Sequence, residues 1–141
     1  MIAKRGNILW IPSYQEDMNN MLNGTMMMGI DTSSKGNLTM MAACGTINST
    51  FSLMTSSTRK CQGGGEGKFN DLLYVSEKCI EGYVGRNKSP PAELIIFMNA
   101  TPGDQINQFQ ELFCKSLVAK VNRSYQTNMK LCAVMVNLRN S

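Results

Sequence analysis

The chain has 141 residues, of which 43% are hydrophobic and 17% charged, with a formal net charge of +4 and a pI near 8.9. That length suits one globular domain with a real core, the composition excludes a disordered or fibrous chain, and no apolar run approaches the roughly 18 residues a membrane span needs. So mild a basic excess is compatible with a nucleic-acid partner without demanding one.

Residues 1–24, "MIAKRGNILWIPSYQEDMNNMLNG", lack clean periodicity and read as an opening segment, with Trp10 packing on the body and a turn at Asn23-Gly24. The domain proper is expected over residues 25–141. "TMMMGID", Thr25 to Asp31, is a short apolar run ending in an acid, as a buried strand would be. After the turn residues "SSKG", "LTMMAAC" from Leu38 to Cys44 supplies a second strand. "STFSLMTSS", Ser49 to Ser57, alternates at Phe51, Leu53 and Thr55 and predicts a third, half exposed. Three strands joined by short turns make an antiparallel meander. The methionines at 26–28 and 40–41 read as adaptable core packing.

"RKCQGGGEG" is a loop, because three consecutive glycines do not belong inside an element. From Glu66 the pattern turns helical, with Phe69, Leu72, Leu73, Cys79, Ile80 and Tyr83 near 3.6-residue spacing. The proline pair in "GRNKSPP" ends that helix. "AELIIFMN" is a continuous apolar strand running into Asn99. "TPGD" then offers a helix start, with Thr101 as N-cap, Pro102 in the first turn and Asp104 behind it. That helix is expected over Gln105 to Asn122, with Ile106, Phe109, Leu112, Phe113 and Leu117 on its buried face. "KLCAVMVN" supplies the last strand. Three strands, helix, strand, helix, strand imply an α/β domain with a mixed sheet covered by helices, the order of the ribonuclease-H-like architecture.

Cys44, Cys61, Cys79, Cys114 and Cys132 are odd in number, widely spaced and never in a CxxC pair, and histidine is absent. Neither a zinc site nor a disulfide framework fits that pattern; reduced, mostly buried thiols in an intracellular protein, of cytoplasm or nucleus, do.

In ribonuclease-H-like folds, phosphodiester hydrolysis uses two hard divalent cations held by carboxylates at the ends of neighbouring strands. Magnesium requires oxygen donors, and acids serve far better than amides. The three places where such acids belong hold Asp31, Glu66 and Asn99. At these residues the chain resembles the Piwi domain of the Argonaute/Piwi family. "GID" at Gly29–Asp31 is similar to the family's strand-end aspartate motif. "EGKFNDLL" resembles the helix opening that carries its mobile glutamate. "ELIIFMNATPGDQ", Glu93 to Gln105, is similar to an apolar strand followed by Tyr-Arg-Asp-Gly and Ser-acid-Gly-Gln. "AKRGNILW", Ala3 to Trp10, is similar to the Lys-x-Gly-Gly segment where the Mid domain passes into Piwi. The resemblance covers essentially the whole chain, as a divergent or truncated Piwi domain.

The departures from the family pattern concern chemistry. Asn99 stands where the resemblance expects the second catalytic aspartate, and no histidine is present for the fourth position. The resemblance therefore implies a degenerate catalytic set of Asp31, Glu66 and Asn99, without competent two-metal cleavage, and magnesium only if that site still works. It also implies binding of guide or target RNA in silencing, with Lys4, matching the lysine near the guide 5′ phosphate, as one contact. Lys35, Arg59 and Lys60, on turns around the meander, could reach a phosphate backbone. Protein partners, or the rest of a longer Argonaute-type chain, are expected alongside. The competing reading is a Piwi-derived scaffold inside a larger assembly, with no nucleic-acid role.

Overall fold

The computed structural model describes residues 24–61, 66–99 and 106–136, and the side chains of Glu66 and Gly67 lie outside that description. Thr25–Lys35 (β1), Leu38–Thr46 (β2) and Met54–Lys60 (β3) are followed by a 22-residue helix, Glu66–Asn87 (α1), and by Glu93–Asn99 (β4). A helical segment then runs as Ile106–Phe109 (α2), a π-helical turn at Gln110–Cys114 and Lys115–Tyr125 (α3), before Lys130–Val136 (β5). The five strands form one sheet in the order β3-β2-β1-β4-β5. The first three are antiparallel neighbours, and β4 and β5 run parallel to β1. This is the mixed α/β sheet that the sequence order implies.

One face of that sheet is the core. Met26, Met28 and Ile30 of β1, Met41 and Ala43 of β2, and Leu94 and Ile96 of β4 are buried at alternate positions, as the period of a strand requires. Against them α1 lays Phe69, Leu72, Val75, Cys79, Ile80 and Tyr83, while Phe109, Phe113, Leu117 and Val121 come from the second helical segment. Each fully buried large side chain contributes about 1.5–3 kcal/mol of transfer free energy. Met26, Met28 and Met41 are core residues; Met27 and Met40 are half-buried. Gly82 lets α1 approach β3, because a Cβ there would lie 2.9 Å from the Thr55 Cβ.

Several boundaries differ from the sequence expectation, each for a local reason. β1 does not stop at Asp31 but continues to Lys35, because Thr32–Lys35 pair with Leu38–Met41 across a turn where Gly36 takes φ +64°. β3 begins at Met54 instead of Ser49. The Asn48 side chain takes over the intervening backbone: its Oδ1 accepts the Ser52 and Leu53 N–H groups at 3.1 and 3.3 Å. Such local bonds compete with a strand ladder, and Phe51 sits there exposed at φ +60°. The second helix is not continuous. In the π-helical turn the Lys115 N–H reaches Gln110 O; Phe109 and Phe113 are buried with ring centroids 5.3 Å apart, while Ile106 and Leu112 are exposed. The sequence pattern places those two residues inside.

Asparagines close two connections. Asn87 Nδ2 donates to Ile47 O at 2.8 Å, tying the end of α1 to the β2–β3 connection. Asn122 brackets the approach to β5, accepting from the Met129 N–H at 2.7 Å and donating to Met129 O at 3.1 Å. The thiols are less buried than expected. Cys79 is buried, but Cys44 and Cys132 are exposed, because they fall on the sheet face away from the helices. Trp10 and the Thr101 cap lie outside the described residues.

Candidate nucleic-acid interface

The geometry of the site follows from strand register. β1 and β4 are paired from Thr25–Glu93 up to Gly29–Phe97, and Asp31 and Asn99 each stand two residues further along. Adjacent parallel strands therefore carry the acid and the amide at the same level, on the face opposite the core. Ala42 of β2 is the register partner of Asp31, and Val136 of β5 that of Asn99, while the β1–β4 ladder itself ends two residues earlier at Gly29–Phe97. Both Asp31 and Asn99 are exposed, and Asp31 Oδ1 accepts the Thr32 N–H at 2.8 Å. Directly below Asp31 in the ladder, Gly29 leaves open space where a side chain would stand.

Glu66 is the first residue of α1, at the sheet end where β3 delivers the chain through Lys60. Its backbone is thus at the same end as Asp31 and Asn99. Among the described residues no group of three or more Cys, Asp or Glu side chains could hold a metal ion. Among the described side chains the predicted set shows one carboxylate, Asp31, and one amide, Asn99, whereas a pair of magnesium ions draws on several carboxylates.

The basic residues separate by strand parity. Lys35 lies on the same face of β1 as Asp31, four residues on, and is exposed at the hairpin tip. Lys60 is exposed and pairs with Met40, which pairs in turn with Ser33, so it shares that face too. Arg59, its neighbour, must point the other way. Its Nε is 3.2 Å from Asp71 Oδ1 on α1, and its guanidinium lies 4.4 Å from the centre of the Tyr74 ring. Expected to face a phosphate backbone, Arg59 is instead placed on the core side with its charge committed to Asp71. Lys4 lies outside the described residues.

Asp71 is the residue that sequence reasoning missed. It is fully buried, and a lone buried carboxylate would be costly without its cation. The signal was present, since position 71 falls one turn before Val75 on the apolar stripe of α1. Cys61 hydrogen-bonds to Asp71, and burial, then the negative charge of Asp71, push its thiol pKa up. Burial alone raises Cys114 to about 11, and burial with the nearby Cys44 raises Cys79 to about 12, so these thiols stay protonated.

No family model and no curated protein matches the sequence. Solved structures do match. The chain superposes on Kluyveromyces polysporus Argonaute, solved with a guide RNA, with a TM-score of 0.72 at 17% identity over 89% of this chain and 17% of that one. The C-terminal lobe of a budding yeast Argonaute gives 0.70 at 15% identity, over 89% of this chain and 28% of that one. Drosophila Piwi gives 0.64 at 16% identity, over 79% and 16%. The fold is Piwi-like, and this chain spans less than a third of each of those three. No helix among the described residues is long and apolar enough to cross a membrane.

Proposed function

We propose that this domain lies along guide or target RNA as part of a silencing protein, and that it does so without cutting. The observation that carries the reading is the end of the open sheet face. Asp31 and Asn99 each stand two residues past the last paired rung of β1 and β4, with Lys35 and Lys60 on the same face as Asp31. Two exposed cations near an amide favour a phosphate backbone more than they would near a second carboxylate, since that carboxylate would repel it. Similarity to an Argonaute solved with guide RNA supports the same partner. The remainder of a longer Argonaute-type chain, or a protein partner, would supply the rest of the groove.

Titration of a labelled single-stranded RNA at low and moderate salt tests this. Binding at low salt should weaken as salt rises. The Lys35→Ala/Lys60→Ala double variant should bind less tightly with a shallower salt slope, by about one unit for each phosphate it no longer neutralises. Arg59→Ala should leave the slope unchanged. Absence of binding even at low salt would leave the scaffold reading, which the internal commitment of Arg59 favours. For the chemistry, the unmodified chain should show no magnesium-dependent cleavage.

A further inference from the structure

The middle of β1 carries a glycine that the fold itself does not require. Gly29 is exposed, its φ is not positive, and a Cβ added there would meet no atom within 4 Å. Neither a turn nor close packing calls for it, and a glycine inside a strand costs stability. Its register partners on either side do carry side chains, Cys44 of β2 and Phe97 of β4. Both are exposed, Phe97 by 37%, and all three residues fall on the face away from the helices. Gly29 is thus the floor of a slot, with Phe97 as one wall and Cys44 as the other. Two strand spacings, about 9.5 Å, separate the backbones of those walls, which admits one planar ring between them.

The rim of the slot selects what enters. Asp31 and Asn99 stand two residues beyond Gly29 and Phe97, exposed on the same face. Asp31 Oδ1 accepts the Thr32 N–H, and the carboxylate keeps further acceptor capacity. A nucleobase has the matching form: a flat π-face for Phe97, and an edge of N–H and C=O groups for the carboxylate and the amide. An apolar side chain from a protein partner could fill the same space, but it would offer the rim no hydrogen bonds. In a duplex the base faces and pairing edges are already engaged, so only an unpaired base can enter. Lys35 and Lys60, further along this face, remain for the phosphates.

Resting on the RNA-binding reading above, we infer that the slot over Gly29 takes one unpaired nucleobase stacked on Phe97, so that the domain holds single-stranded RNA in preference to duplex. Fluorescence anisotropy of a short labelled RNA, single-stranded or annealed to its complement, tests this. The single strand should bind more tightly. Gly29→Val puts a branched side chain into the slot at a position with room for a Cβ, and Phe97→Leu removes the stacking face. Each should weaken single-strand binding by about tenfold, while duplex affinity and the salt slope stay as they were. Phe97→Trp should keep the parent affinity. A 2-aminopurine within the strand should lose fluorescence on binding the parent chain and retain it on binding Gly29→Val. Equal affinity for the two forms, or single-strand binding that ignores Gly29→Val, would overturn the slot and leave the phosphate contacts standing. No association with either form at low salt would overturn the RNA reading and the slot together.

Discussion

Replacing Arg59 by alanine separates a structural cation from an RNA-contacting one. The structure makes the first assignment: Arg59 Nε is 3.2 Å from a carboxylate with no solvent exposure, and the arginine side chain is itself 29% exposed. Removing one partner of a buried pair costs about 3–5 kcal/mol because the other charge is stranded. Partial exposure of Arg59, and the hydrogen bond that Cys61 still gives Asp71, reduce this to about 2–3 kcal/mol. Loss of the cation–π interaction with Tyr74 adds about 0.5–1 kcal/mol. Against a total stability of about 5–15 kcal/mol, the shift should be plain in urea denaturation as a lower midpoint at unchanged slope. Replacing both partners, as Arg59→Met with Asp71→Leu, should recover most of the loss, since an apolar pair strands no charge. An unaltered midpoint in Arg59→Ala, or a double variant less stable than the single one, would refute the assignment.

Two further outcomes rest on the packing. Gly82→Ala gains about 1 kcal/mol of helix propensity, but its Cβ meets the Thr55 side chain, and overpacking of that kind costs about 1–3 kcal/mol; thermal denaturation should show net destabilisation, which Thr55→Gly partly relieves. The Cys79 thiol is held at a pKa of about 12 against an ordinary value of 9.0. The folded chain therefore retains a proton that the unfolded chain releases, so this contribution is complete below pH 9 and declines as pH rises from 9 toward 12, by up to about 1.4 kcal/mol per pH unit. Urea midpoints on Cys79→Ala should fall less steeply over the accessible part of that window than those of the parent.

Most strands are legible in the sequence because each is an apolar run closed by turn residues, and the burial of Met26, Met28, Leu94 and Ile96 follows from those runs. Their limits are less legible. The polar Thr32–Lys35 stretch is strand only because β2 pairs with it, and residues 49–53 alternate like a strand while Asn48 holds them in a turn. The π-helical turn at Gln110–Cys114 has no sequence signature here, and it leaves Ile106 and Leu112 exposed where a regular helical period puts them with Phe109 and Phe113. At the site, the likeness between "MMMGID" and "IIFMN" makes Asp31 and Asn99 readable as equivalent positions on adjacent parallel strands, although β1 runs on past Asp31. Arg59 and Lys60 look alike as a basic pair in the sequence, although adjacent strand residues face opposite ways. Only the carboxylate on α1 reveals which of the two turns inward.

Photo-crosslinking with RNA carrying 4-thiouridine reads the central claim most directly, because it reports which face the strand touches. Adducts mapped by mass spectrometry should fall on the β1–β2 hairpin between Asp31 and Ala42 and around Lys60, and should diminish in the Lys35→Ala/Lys60→Ala variant. Adducts confined to α1 and α3, on the far side of the sheet, would contradict the account.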